Sequence, residues 1–274
     1  MKILIFYNPF KISLKDLEEK ILKPFKDEKI EILGCLTAGS SIENIQVQSA
    51  DYFIVFGGDG TVLKIAQIAA YFSKPIIAVN IGNLGFLSAY SSNETEELLQ
   101  DIKTENIYFS IRNILECHVG TKDIVVLNDV VLLKSQPLGT MDIEVRIQEH
   151  VLFSFLGDGI ILSTSTGSTA YALSAGGPII DPNLNIIEIV PLAPHALNIR
   201  PFITFSDQKI EILLKNMSQG FAYLTGDGDI IHRMEPGMSA VISGSKDNIK
   251  LAQRNGNNYY NALNKKLGFG RRFE

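Results

Sequence analysis

Tyr52-Phe53-Ile54-Val55-Phe56-Gly57-Gly58-Asp59-Gly60-Thr61-Val62-Leu63 is the stretch on which the fold turns. Tyr52 to Phe56 is continuously apolar, the texture of a strand covered on both faces, as in parallel sheets. From about Thr61 to Phe72 the period changes, and Val62, Leu63, Ile65, Ala66 and Ala69 form one wide helical stripe. The join is the loop Gly57-Gly58-Asp59-Gly60-Thr61. Its two leading glycines permit a tight turn with unusual backbone angles and leave N–H groups uncovered. The positive end of the following helix adds to this, so the loop suits phosphate oxygens. Asp59 is the odd member, because a carboxylate there repels a phosphate. It either holds a metal ion, accepts a proton from an attacking hydroxyl, or caps the helix as part of a structural turn. The loop has neither the Gly-Lys-Ser/Thr ending of Walker loops nor the three-glycine dinucleotide fingerprint.

Outward from this loop, strand and helix alternate. Lys2 to Phe6, Ile30 to Leu33 and Ile76 to Val79 read as further buried strands. Ser13 starts a helix, with Asp16 reaching back as in a capping box. Leu14, Leu17, Ile21 and Leu22 give that helix an apolar face, and Pro24 ends or bends it. A second glycine loop, Gly82-Asn83-Leu84-Gly85-Phe86, follows the Ile76 strand. Ligands of open α/β sheets sit at the carboxyl ends of strands, so the two loops belong to one crevice. Phe86 is there either to stack on a base or to fill the core. The polar helical stretch Ser92 to Lys103 reads as a hinge. Beyond it Ile143, Val145 and Ile147, then Ile210, Ile212 and Leu214, alternate with other residues at the period of strands wet on one face. One short helix interrupts this half from Gly167 to Ser174. The tail Tyr259 to Leu267 reads as helical, with Gly268 as its cap.

The fold expected is an α/β N-terminal domain with an open, mostly parallel sheet, followed by an all-β, antiparallel, sandwich-like domain. The domain limits are 1–100, joined by the C-terminal tail 255–274, and 101–254.

Two stretches of the second half carry polar groups where strands do not want them. Asn128-Asp129 interrupts the apolar run Ile124 to Leu133, and such groups are costly to bury unpaired. A turn explains them, and so does a ligand with ribose hydroxyls or a base edge. Gly157-Asp158-Gly159-Ile160-Ile161-Leu162 leads into Ser163-Thr164-Ser165-Thr166-Gly167-Ser168-Thr169-Ala170-Tyr171, where six hydroxyls fall within seven residues. Such a segment can surround a polar, uncharged group with neutral donors and acceptors. Gly176-Gly177-Pro178 then turns the chain.

Composition narrows the function. The 274 residues are 46% apolar and 20% charged, an ordinary globular balance. A net charge of −5 gives no basic footprint for nucleic acid. Cys35 and Cys117 fit no metal spacing and no disulfide framework, which suits a reducing cytoplasm. The start has no secretory signal, and no apolar run approaches the roughly 20 residues of a membrane helix.

With these residues on the page, the chain resembles the NAD kinases over nearly its whole length. The Gly57–Thr61 loop is similar to that family's first signature, Asn128-Asp129 to its second, and Asp158 through Tyr171 to Gly177-Pro178 to its third. Pro191-Leu192-Ala193-Pro194 and Asp227-Gly228 match shorter ones. Two positions depart: Asp129 stands where Glu is usual, and Ser165 where Pro is usual. The resemblance implies transfer of a phosphate from ATP or polyphosphate, with a divalent metal ion such as magnesium, to the adenosine 2′-hydroxyl of NAD. It implies Asp59 at that hydroxyl and Gly57, Gly58 and Thr61 in the phosphate loop. Asn128 and Asp129 then hold the ribose hydroxyls or the neighbouring base. Thr166, Thr169 and Tyr171 surround the adenine, and Asp158, Ala170 and Ala193 lie near the nicotinamide. Gly60, Phe86 and Ser174 complete the NAD-binding set. No metal ligand is assigned. Partners are small molecules only, NAD and ATP, within a homodimer or homotetramer. The alternatives are a lipid kinase of the diacylglycerol or sphingoid type, which shares the first loop, and an NAD(P)-binding regulator without turnover.

Overall fold

The computed structural model of the chain describes residues 1–26, 30–40, 44–82, 85–254 and 259–270. Of the second glycine loop, Asn83 and Leu84 lie outside the described residues, as do 255–258 and 271–274 of the tail. The chain divides into two compact units, Met1–Ile111 with Ile249–Glu274, and Arg112–Asn248.

The first unit is built on four parallel strands, β1 (Lys2–Tyr7), β2 (Glu31–Thr37), β3 (Tyr52–Gly57) and β4 (Ile76–Asn80). Their order is β2-β1-β3-β4, with the two-residue β5 (Tyr90–Ser91) also pairing with β4. Every residue of β4 is buried, and so are all but the first of β1 and β3, as expected where helices cover both faces. The core joins Ile3, Ile5, Ile54, Phe56, Ile77 and Val79 to Leu17, Leu22, Phe25, Leu98 and Ile102. Because β1 pairs with β2 on one side and β3 on the other, the loops after β1 and β3 diverge at a topological switch point, where such sheets bind ligands.

Two local expectations change. The helix begun at Ser13 is not continuous: Leu14–Asp16 is α-helical, Leu17–Ile21 widens into a π-turn, and Lys23–Lys26 is a separate turn. The break falls at Leu22, ahead of Pro24, whose missing N–H costs nothing in a first turn. Ser13 does accept the Asp16 N–H at 3.1 Å. Leu14 is 40% exposed rather than part of the apolar face. The second concerns Thr95–Lys103, which is a helix with Leu98, Leu99 and Ile102 buried in the core of this unit.

The second unit is antiparallel. β6 (Tyr108–Val119) and β7 (Lys122–Val126) form a hairpin. β8 (Asp129–Lys134), β11 (Gly159–Thr164), β12 (Ile186–Leu192), β13 (Phe202–Phe205), β15 (Ala222–Gly226) and β16 (Asp229–Met234) make a six-stranded sheet ordered β13-β12-β11-β8-β15-β16. β9 (Met141–Ile147), β10 (His150–Gly157), β14 (Ile210–Met217) and the first part of β17 (Ser239–Gln253) pair in the order β10-β9-β14-β17. One core serves both layers, with Leu132, Ile160, Leu162 and Ile189 of the first and Ile143, Val145, Ile210, Ile212 and Ala240 of the second. This is a sandwich. The expected alternation holds on β14, but β9 buries Glu144. That carboxylate takes Arg146 Nη2 at 2.6 Å, Ser154 Oγ at 3.1 Å and Lys215 Nζ at 3.4 Å. Among the described residues no helix is long and apolar enough to cross a membrane.

β11 lies between β8 and β12, and at Gly159 the backbones crowd. A Cβ there would stand 2.3 Å from the Leu132 carbonyl oxygen. A backbone neighbour cannot swing away, so Gly159→Ala is expected to destabilise the protein by about 1–3 kcal/mol. A urea midpoint equal to that of the parent chain would overturn this.

Candidate active site

The loops after β1, β2 and β3 enclose a cleft of about 480 Å³ in the first unit, lined by Asn8–Lys11, Thr37, Ala38, Gly58–Thr61 and Lys64. Gly57 ends β3 and Asp59 opens the helix Asp59–Tyr71, with Gly58 extended at φ −126° as its cap. No glycine of this loop has a positive φ, so unusual angles are not what selects them. Close approach is the reason. A Cβ on Gly57 would stand 2.3 Å from Thr61 Oγ1, and one on Gly58 2.7 Å from Lys11 Nζ. Thr61 and Val62 donate their N–H groups to the Gly58 carbonyl at 2.8 and 3.2 Å. The N–H groups of Asp59 and Gly60, the first of the helix, have no partner among the described residues and are free for an anion.

Asp59 is anchored by backbone. Oδ2 accepts the Phe86 N–H at 2.9 Å and Oδ1 the Leu87 N–H at 3.2 Å. Lys266 Nζ from the C-terminal helix lies 3.7 Å from Oδ2. Gly85 makes this approach possible, since a Cβ there would sit 2.0 Å from Oδ1. Phe86 is half-buried, its ring 6.2 Å from that of Tyr259, with the Lys266 ammonium 4.3 Å over its face.

The second unit assembles its own polar group. Leu127 and Asn128 separate β7 from β8, so Asn128 stands at a strand end. Asp227 organises the break. Its carboxylate accepts the N–H groups of Leu127 at 2.8 Å, Asn128 at 2.7 Å and Asp129 at 3.3 Å. Asp227 and Gly228 both have positive φ, 49° and 89°, in a two-residue hairpin turn between β15 and β16. Burial, and secondarily the charge of Asp227, push the Asp129 carboxyl up to about 7. Burial also raises Asp227, but its three N–H donors favour the charged form. Of the two, Asp227 is the one whose negative charge is met by hydrogen bonds.

The hydroxyl-rich stretch is largely spent on architecture. Thr164 Oγ1 donates to the Leu127 carbonyl at 2.6 Å and accepts the Gly167 N–H at 3.0 Å. Ser163 donates to the Asn128 carbonyl at 3.2 Å, Ser165 to the Leu184 carbonyl, and Ser168 to the Ser165 carbonyl at 2.8 Å. Gly167 is needed because a Cβ would fall 2.3 Å from the Asn128 carbonyl oxygen. Two buried atoms are left over: Asn128 Oδ1 and Thr166 Oγ1 have no hydrogen-bond partner. Thr169 and Ala170 are half-buried, and Tyr171 and Ser174 are exposed on the short helical turns that follow. Asp158 pairs with Lys134 Nζ at 2.6 Å, and its N–H binds the Leu192 carbonyl at 2.9 Å. Ala193, the next residue, is held at φ 45°, a strained angle for a side-chain-bearing residue.

Lys11, Lys266 and Glu188 are conspicuous here and were not singled out from the sequence, and Asp227 was marked only as part of a short motif, with no role. Lys11 follows Asn8-Pro9 at the end of β1 and donates to the Ile81 carbonyl at 3.1 Å. Asp227-Gly228 between alternating strands was a legible hairpin turn. Glu188 was legible as a charge inside the apolar run Ile186–Val190. Lys266 had no local signal. Among the described residues no three His, Cys, Asp or Glu side chains converge as metal ligands, and Asp59 is the one acid lining the cleft.

Comparison with known proteins places two family models on the chain, the ATP-NAD kinase N-terminal domain over residues 19–107 and the ATP-NAD kinase C-terminal domain over 127–253. An NAD kinase of Petrotoga mobilis is 71% identical over 274 residues, 100% of both chains. One of Chloroherpeton thalassium is 35% identical over 85% of this chain and 82% of its own. Among solved structures, a yeast NADH kinase complexed with NADH superposes with a TM-score of 0.87 at 22% identity, covering 100% of this chain and 89% of the other. An NAD kinase from Archaeoglobus fulgidus in complex with ATP superposes with a TM-score of 0.76 at 23% identity, covering 98% and 100%. At these identities the two structures show a shared fold.

Glu188 is fully buried on β12 with both carboxylate oxygens unpartnered, and burial pushes its carboxyl up to about 7. A raised carboxyl binds its proton more tightly in the folded chain. Stability is therefore unaffected below the unfolded value of 4.5, falls as pH rises towards 7, and stays lower above it. Glu188→Gln is expected to remove a decline on the order of 2–3 kcal/mol between pH 5 and pH 8. An undiminished pH dependence of the unfolding midpoint in the variant would exclude Glu188 as a source.

Proposed function

The chain belongs to the NAD kinase family and is an NAD kinase, and on that premise we propose that Asp59 is the group that takes the proton from the adenosine 2′-hydroxyl of NAD. The observation that carries this is the anchoring of the Asp59 carboxylate. Backbone N–H groups hold both of its oxygens, at the edge of a cleft whose helix N-terminus offers free N–H groups to phosphate. The lipid kinase and the silent NAD(P) binder give way to this reading, because both family models and the 71% identical relative are NAD kinases.

In the proposed mechanism, phosphates of ATP lie against the N–H groups of Asp59 and Gly60, in the loop formed by Gly57, Gly58 and Thr61. The missing side chains of Gly57 and Gly58 let the backbone pack closely there. The 2′-hydroxyl attacks the γ-phosphorus. The O–P bond forms as the bond to ADP breaks, and the hydroxyl proton passes to Asp59. Positioning and charge neutralisation do most of the work in such transfers. Among the described residues no cage for a resident metal is built; Asp59, the acid lining the cleft, would be the residue to hold a magnesium ion bound with the donor phosphates, and the chemistry supplied would be to offset phosphate charge.

The second unit, within the NAD-binding domain 101–254, recognises the dinucleotide in this reading, and the α/β domain spans 1–100 with the tail 255–274. Asn128 and Asp129 hold ribose hydroxyls or the base. Thr166, Thr169 and Tyr171 surround the adenine, Ser174 and Phe86 complete the set, and Asp158, Ala170 and Ala193 serve the nicotinamide end. The orphaned Asn128 Oδ1 and Thr166 Oγ1 support this, since buried polar atoms want partners. A cytoplasmic homodimer or homotetramer agrees with the free thiols of Cys35 and Cys117 and with the apolar edge strand that exposes Phe202, Ile203 and Phe205.

The direct test is NADP formation from NAD and Mg–ATP, read with an NADP-specific dehydrogenase. Asp59→Asn is expected to retain NAD binding and to lose about 10²–10⁴-fold in kcat. Near-normal turnover would sink the assignment. Thr166→Val keeps the shape and removes a hydroxyl that has no internal partner. It is expected to leave the unfolding midpoint in place and raise KM for NAD roughly 5- to 20-fold, the worth of about one hydrogen bond. An unchanged KM would remove Thr166 from the site.

A further inference from the structure

We propose that Lys266, near the end of the C-terminal helix Tyr259–Leu267, is a positioning residue for Asp59, holding its carboxylate turned so that Oδ1 receives the proton. The inference rests on the reading of Asp59 as the base and goes beyond it, because it makes the C-terminal helix part of the catalytic apparatus.

The geometry distinguishes the two oxygens of Asp59. Oδ2 accepts the Phe86 N–H at 2.9 Å and faces the Lys266 ammonium at 3.7 Å. Oδ1 has one longer bond, from the Leu87 N–H at 3.2 Å. Oδ2 is thus held by a short donor and a full charge, while Oδ1 keeps a lone pair to spare. A proton from a substrate hydroxyl goes to the oxygen that is less committed.

Lys266 is placed there by its helix. Tyr259, Ala262, Leu263 and Lys266 follow the spacing i, i+3, i+4, i+7 and share one face. Ala262 and Leu263 are buried, so this is the packed face and Lys266 sits at its end. Phe86 completes the mount. The ammonium lies 4.3 Å over its ring, a cation–π contact that restrains an otherwise mobile side chain, and Tyr259 approaches the same ring at 6.2 Å. The backbone of Phe86 therefore binds the carboxylate while its ring holds the cation. At 3.7 Å and partial exposure the ion pair contributes little to stability. Its use is electrostatic: a positive charge next to the carboxylate fixes its orientation and offsets the repulsion of arriving phosphates. Lys266 is not among the residues that line the cleft; the lining cations are Lys11, on the loop after β1, and Lys64, on the helix after Asp59, and Asp59 is the one lining acid.

The test uses the full chain with Lys266→Met and Lys266→Arg, assayed for NADP formation beside Asp59→Asn. Lys266→Met is expected to lower kcat about 10- to 100-fold and to leave KM for NAD and for ATP within about threefold, with Lys266→Arg restoring most of the loss. A normal kcat in Lys266→Met, with Asp59→Asn inactive, would overturn the role of Lys266 alone. An active Asp59→Asn would overturn the underlying reading instead. A raised KM for ATP at unchanged kcat would make Lys266 a phosphate ligand and also overturn the proposal.

Discussion

A carboxylate beside a phosphate-binding loop must be held in place against the oxygens it repels, and for Asp59 the N–H groups of Phe86 and Leu87 do this. Much of the first unit follows from that pair of hydrogen bonds. Gly85 has no side chain because one would occupy the place of Asp59 Oδ1. Gly57 is bare because Thr61 folds against it, and Gly58 because Lys11 does. The strand order puts the loops after β1 and β3 on opposite sides of a switch point, and the cleft is the gap this leaves.

The second unit solves a similar problem with the signs of the groups reversed in role. There the backbone N–H groups belong to the segment being shaped, Leu127 to Asp129, and the carboxylate of Asp227 reaches across from a hairpin turn to gather them. Ser163 and Thr164 bind the carbonyls of the same segment. The break between β7 and β8 is therefore saturated on its backbone, and this leaves the side chains of Asn128 and Asp129 to face something else. Most of the hydroxyl-rich run is scaffold, and Thr166 is the member whose oxygen has no internal use.

Much of this was legible in the letters. The apolar run Tyr52–Phe56, the glycine loop and the helical stripe behind it imply strand, loop and helix, because burial on both faces and a period of 3.6 leave few other readings. The short helical segment after Ser163–Thr166 and the tail helix Tyr259–Leu267 were equally plain. Other local readings failed for reasons that reside in packing. The π-turn at Leu17–Ile21 and the exposure of Leu14 depend on how the helix meets the sheet, and the burial of Glu144 on three polar partners from β9, β10 and β14. The Gly57 loop joins strand to helix as expected, but not for the expected cause, since its glycines answer to neighbours rather than to backbone angles.

The sequence by itself determined the order of strands and helices, the change from parallel to antiparallel texture, and the motifs that mark an NAD kinase, because these are carried by periodicity and by residues adjacent in the chain. Only the tertiary structure decided which charges meet. Asp59 and Lys266 are separated by most of the chain and Leu127 and Asp227 by 100 residues, and no local pattern links either pair. Their encounter is fixed by strand order and helix docking, which depend on the burial of whole faces rather than on the identity of the polar residues that this burial brings together.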